Sequence, residues 1–248
     1  MVDYMSFFGN TDFLIEVGKG NVSGHSLENI FGRNPSVGTL EEDVWDAGAV
    51  LIYPTSGEQW EVVSSSSNDD LADTGATKVS IRYLDDLFIE QTETVDMNGQ
   101  IPVLMSATNI YRFIGARVIE TGSSKENEGN ITVRVAGSGN TRGQINAGEN
   151  EALDGHFTIP AGKTGYLIAW YCEAEKGEDL NMRIRRTDGE NGIFRTIGTL
   201  SVYQNNIVAP FNGPSDPISE KSDILIKAIS SNIDVSASVI MQILLVDN

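Results

Sequence analysis

Gly162-Lys163-Thr164 has the outline of a phosphate-binding loop. That chemistry needs a further glycine five residues before Gly162. It also needs a following helix whose first backbone amides face the phosphates. Position 157 is Phe157, and Tyr166-Leu167-Ile168-Ala169-Trp170-Tyr171 is strand-like. The string therefore reads as a turn, Pro160–Lys163, feeding a buried strand. His25 and His156 are the only histidines, and no G-x-S-x-G nucleophile elbow accompanies them. Two distant histidines and the single Cys172 make no zinc-binding set. Cys172 follows Trp170 and Tyr171 and reads as a small buried apolar residue.

Carboxylates are abundant, but a glycosidase needs two of them facing across a groove, which spacing along strands does not reveal. Two acidic loops, Asn68-Asp69-Asp70 with Asp73 and Asp188-Gly189-Glu190-Asn191, carry the hard oxygens Ca²⁺ prefers. Neither has the twelve-residue EF-hand spacing, so the expectation is no cofactor, with Ca²⁺ a minor alternative. Among the aromatics, Trp60 and Trp170 sit in apolar strand patterns and are expected in the core. Trp45, within Glu41–Gly48, is less determined and is the candidate for an interface.

Two-residue alternation positions these groups. Val79, Ile81 and Tyr83 interleave with Lys78, Ser80 and Arg82. Ile131, Val133 and Val135 do so with Thr132 and Arg134, and Leu180, Met182 and Ile184 with Asn181, Arg183 and Arg185. Successive side chains on a strand point to opposite faces, so each run predicts a sheet with one wet side. Ile233 to Leu245 predicts a long strand, and with Asp223–Ile229 and the link Ser230-Ser231-Asn232 it predicts a hairpin. Glycine, Asn and Asp clusters separate the strands, as at Ser64–Asp70 and Gly122–Gly129. Many short strands without helical crossovers predict an all-β antiparallel sandwich or barrel. Residues 1–40 are rich in Gly and Asn and read as an extended N-terminal arm. Within them Asp12–Val17 predicts a strand, and Ser26–Phe31 a helical turn or two. Residues 41–248 read as one domain.

Lys and Arg total 17 against 35 Asp and Glu, a net charge of −18, so a direct grip on nucleic acid is not expected. No apolar stretch approaches the ~20 residues of a spanning helix, so no membrane partner is expected. One cysteine excludes an intrachain disulfide.

Several segments together are familiar: Gly20–Gly48, Glu61–Asp85, Ile159–Tyr171 and Ser222–Asn248. They resemble virion structural proteins of tailed bacteriophages, of the kind common in marine and environmental phages. The resemblance implies a jelly-roll-like β-sandwich without catalytic activity, located in the virion and assembled in the host cytoplasm. Capsid decoration, a vertex protrusion, or a head–tail-associated part are the roles it implies. Partners would be further copies of the chain, a trimer before a pentamer, and other virion proteins such as the major capsid protein. An arm ahead of the sandwich would latch onto neighbours through Phe7, Phe8, Phe13 and Leu14. The alternative is a host-surface carbohydrate-binding adhesin domain of a phage particle.

Overall fold

The structure, a computed structural model, describes residues 10–174, 179–203, 207–210, 215–231 and 235–248. Helix α1 (Asn10–Gly18) precedes strands β1 (His25–Val37) and β2 (Glu42–Asp43). The chain continues through β3 (Trp60–Ser64), β4 (Ala76–Asp85), β5 (Glu90–Asp96), β6 (Val103–Leu104), β7 (Ile110–Thr121), β8 (Ile131–Val135) and β9 (Thr141–Ile145). It returns through β10 (His156–Thr158), β11 (Lys163–Ala174), β12 (Asp179–Arg186), β13 (Arg195–Tyr203), β14 (Ile207–Pro210), β15 (Asp223–Ser230) and β16 (Val235–Asp247). Every strand pair is antiparallel, as the alternation predicts.

The strands form two nested sandwiches rather than one. In the outer one, a sheet ordered β1-β16-β11-β14 faces a sheet ordered β10-β15-β12-β13, and β2 also pairs with β15. Strands β2 and β10 lie end to end along β15: Asp43 opposes Lys227, and His156 opposes Leu225. Between them, the Val44 amide donates to the Ile226 carbonyl and the Ile226 amide to the Gly155 carbonyl. They are two halves of one interrupted strand. Counted that way, the sheets read 1-8-3-6 and 2-7-4-5, which is the jelly roll of two interlocked Greek keys. Its core joins Trp170, Phe157, Met241, Ile243, Ile184 and Ile226 from the two inner faces.

The interruption, residues 45–154, holds the second sandwich. Its sheets are ordered β6-β3-β8-β9 and β5-β4-β7. A separate core fills it, built on Trp60, Val62, Ile81, Phe113, Ile131 and Val133. The predicted strands over Lys78–Tyr83, Ile131–Val135 and Leu180–Ile184 all form.

Three local expectations are corrected. Asp12–Val17 belongs to helix α1, not to a strand. Ser26–Phe31 is strand, and residues 25–37 are members of the jelly roll, paired to β16 from His25↔Val246 to Val37↔Val235, so they do not lie ahead of it. The predicted C-terminal hairpin does not form, because β15 and β16 belong to opposite sheets and face one another across the core. Strand β15 is buried along nearly its whole length, so both its faces are covered. A near-continuous apolar run signals that situation better than it signals a hairpin arm.

Where the chain leaves and re-enters the jelly roll, backbones touch. A Cβ on Gly32 of β1 would lie 2.4 Å from the Gly155 Cα, and one on Gly155 would lie 2.5 Å from the Val44 carbonyl oxygen. Only glycine permits that approach.

Candidate functional site

The two sandwiches meet along a polar junction, and its chemistry differs from end to end. At one end Arg112 of β7, 3% exposed, clamps Asp223 of β15: Nε donates to Oδ1 at 2.9 Å and Nη2 to Oδ2 at 3.2 Å. Thr158 adds an O–H bond to the same Oδ1 at 2.7 Å, and Arg112 Nη1 donates to the Tyr111 carbonyl at 3.0 Å. The guanidinium lies 4.2 Å from the Tyr111 ring centre and 4.9 Å from that of Tyr53. Burial disfavours the Arg112 charge, but the bonds and charge of Asp223 outweigh it and hold the pKa above its usual value. His156 packs edge-on against Trp45 and tilted against Phe113. Burial, with the Arg112 charge behind it, pushes the His156 pKa down to about 4, so the ring stays neutral.

At the other end of the same returning segment sits Asp154, 5% exposed. No hydrogen bond is made to either of its carboxyl oxygens, and the one group that acts on them favourably is the Asp46 backbone amide. Burial, reinforced by the neighbouring Asp46 carboxylate, raises its pKa well above the usual 3.8 and favours the neutral, protonated form. Asp46 itself is bonded by the Leu153 amide at 2.9 Å and by Asn146 Nδ2 at 2.8 Å, yet burial still raises it to about 7.

Asp154 lines an open cleft of about 370 Å³ between the edge of β1 and the inserted sandwich. Glu28, Asn29 and Phe31 form the β1 wall; Ser80, Arg82 and Gly115 lie on the wall from β4 and β7. Arg82 spans the gap, bonded to Glu28 at 3.2 Å and to Glu90 at 2.9 Å. Arg117 and Glu151 face each other across an isolated bridge at the rim. Phe31 is 49% exposed. The Arg33 amide donates to Leu153 rather than to β16. By antiparallel alternation the Asn29 and Phe31 amides also point away from β16, toward the cleft. This is chemistry for holding a polar ligand.

Of the residues singled out from sequence, Trp45 stands at this junction, bridged to Asp154, and the others lie elsewhere. Phe13 is 39% exposed on α1 and stands edge-on to His25, Leu14 is half-buried on the same helix, and Phe7 and Phe8 lie outside the described residues. Trp45 is 4% exposed and roots the inserted sandwich, its Nε1 donating to the Ala49 carbonyl at 3.3 Å. Lys163 and Thr164 begin β11 and bond to Asp247 and Asn248. Asp69 accepts from the Ser64 hydroxyl and from the amides of Ala76, Glu128 and Gly129, so its carboxylate organises loops. Among the described residues, no three His, Cys, Asp or Glu side chains converge as a metal site, and no helix is long and apolar enough to cross a membrane. Burial raises the Cys172 thiol to about 12, which leaves it inert. Sequence reasoning missed Arg112, Asp223, Asp154 and Phe31. One signal was present: a lone arginine inside the apolar run Ile110–Ile114 needs a buried counter-charge.

No family model and no curated protein matches this chain. Among solved structures it is similar to two of infectious bursal disease virus. For the Gt strain structure the identity is 13%, the coverage 91% of this chain and 77% of the other, and the TM-score 0.19. For the VP2 subviral particle the figures are 13%, 91%, 73% and 0.19.

Proposed function

We propose that this protein is a structural component of a virus particle, of the tailed-phage kind its sequence resembles, acting by multivalent protein–protein assembly rather than by catalysis. The observation that carries the reading is the eight-strand jelly-roll order with a second sandwich set into its second strand. Jelly rolls of this order serve as building blocks of viral shells, where edges and loops become subunit contacts. The assembling segment is the part ahead of β1, whose helix α1 shows Phe13 and Ile15 to solvent. Its partners are neighbouring copies, in a trimer before a pentamer, and other virion proteins such as the major capsid protein. Its place is the particle surface or the head–tail region, after assembly in the host cytoplasm. A charge of −18 favours a position away from packaged nucleic acid.

Deleting residues 2–20 tests it. The jelly roll begins at His25, so the truncated chain should still fold, at a somewhat lower unfolding temperature because the buried Val17 of α1 is lost. It should fail to enter particles and should show a smaller mass by light scattering. Normal incorporation of the truncated chain would overturn the arm. A strictly monomeric full chain that never enters particles would overturn the structural role. The second reading, a carbohydrate-binding adhesin domain, is favoured by Phe31 standing half exposed beside a polar cleft.

A further inference from the structure

We infer that the cleft between β1 and the inserted sandwich is a binding site for an uncharged sugar residue of a glycan, recognised by Asp154, Phe31 and the charged pairs on its walls. The inference gives the second reading a site and does not depend on the assembly role.

The starting point is Asp154. A buried polar group without a partner costs roughly 1–3 kcal/mol, and folded proteins seldom leave one so. Both Asp154 oxygens are in that condition, and the residue lines the cleft. A protonated carboxyl offers one donor and spare acceptor capacity. Both oxygens are closed off from solvent in the free protein, so a turn of the side chain must open them to a sugar hydroxyl, itself donor and acceptor, which satisfies the group without bringing charge into the junction. A carboxylate or phosphate ligand would meet the Glu28 and Glu151 carboxylates in a chain of net charge −18. A cation would meet Arg82 and Arg117. The walls are close to balanced, which suits a neutral ligand rich in hydroxyls.

Placement completes the argument. The Gly32–Gly155 contact holds two backbones together. The residues immediately before these glycines, Phe31 and Asp154, therefore flank a single point. One supplies an exposed aromatic face for the C–H side of a sugar ring, the other a polar group for its hydroxyls. The outward Asn29 and Phe31 amides add donors along the same wall. The volume, about 370 Å³, is at the small end of ligand pockets, roughly 300–1,000 Å³, and suits a mono- or disaccharide. Gly115 keeps the space open: it opposes Arg82 on the same face of the sheet, and a Cβ there would meet nothing within 4 Å.

Saturation-transfer NMR on the full chain decides it, with glucose, galactose, mannose, N-acetylglucosamine, N-acetylgalactosamine and their disaccharides as probes and sialic acid as the anionic comparison. The expected result is saturation of ring C–H protons in at least one neutral sugar. Its affinity should fall at least about tenfold in each of Phe31→Ala, Gly115→Leu and Asp154→Leu. Gly115→Leu fills the cleft at a position with room for a side chain, so it should unfold at an unchanged temperature. Asp154→Leu removes an unsatisfied polar group, so it should unfold at a higher temperature while binding less, a combination that a purely structural role would not produce. No transfer to any neutral sugar overturns the inference. So does transfer to sialic acid alone, or an affinity unmoved by Gly115→Leu and Asp154→Leu.

Discussion

Asp223 and Asp154 are buried to nearly the same degree, at 3% and 5% exposure, and lie at opposite ends of the contact made by the returning segment. Asp223 has two Arg112 nitrogens and the Thr158 hydroxyl. Asp154 has no partner. The junction between the sandwiches is therefore closed by chemistry at one end and left open at the other. A buried acid stabilises a fold only when its surroundings answer it; otherwise it holds capacity for something that arrives later.

The largest effect should come from breaking the closed end. Asp223→Ala strands the Arg112 charge out of water and should cost about 3–5 kcal/mol in urea unfolding. Replacing both partners, as Arg112→Met with Asp223→Leu, should recover a good part of that, and a double-mutant cycle measures the coupling. Next comes the seam between the two ends. Gly155→Ala drives a methyl group into the Val44 carbonyl and should cost about 1–3 kcal/mol, read as a lower unfolding midpoint at constant slope.

The open end should show in the pH dependence. Folded Asp46 holds its proton to about pH 7, while the unfolded chain loses it near the usual 3.8. The folded state binds more protons across that window, so this contribution to stability falls as pH rises from 3.8 through 7. Asp154 acts in the same direction. His156 acts oppositely: neutral down to about 4 when folded, protonated near 6.5 when unfolded, it lowers stability as pH drops from 6.5 to 4. Each proton is worth about 1.4 kcal/mol per pH unit. Thermal unfolding from pH 4 to 8 should therefore fall toward the alkaline side, and Asp46→Asn should flatten that fall. The smallest effect belongs to a pair at neither end. Lys163→Ala, which removes the exposed bond to Asp247, should change stability by less than about 1 kcal/mol.

The strands that alternate were legible because one face of each meets a core. Their partners were not. Alternation in Val79-Ser80-Ile81-Arg82 names two faces, and the polar one was expected to be wet; in the structure Ser80 and Arg82 form a wall of the cleft. The interrupted strand left no trace either, since β2 has two residues and β10 three, too few for any period. Without it, nothing in the sequence separates one sandwich from two. Residues 25–37 mislead for a related reason: Gly32 and Pro35 look like breakers, yet Gly32 is there for a close contact and Pro35 lies in the irregular stretch between Asn34 and Val37. Phe31 and Asp154 are far apart in sequence and gain meaning only when Gly32 meets Gly155.

The pairing of β1 with β16 also sets the order in which this protein can be built. A ribosome releases every strand of the inserted sandwich, β3 to β9, in one uninterrupted stretch ending at Ile145, so that unit can complete its own core during synthesis. The jelly roll cannot: His25 must wait for Val246, nearly the whole length of the chain later. Through that interval β1 is an unpaired strand carrying Ile30 and Phe31, the kind of edge that invites pairing with a neighbouring nascent chain. The first strand made is thus the last to be sheltered.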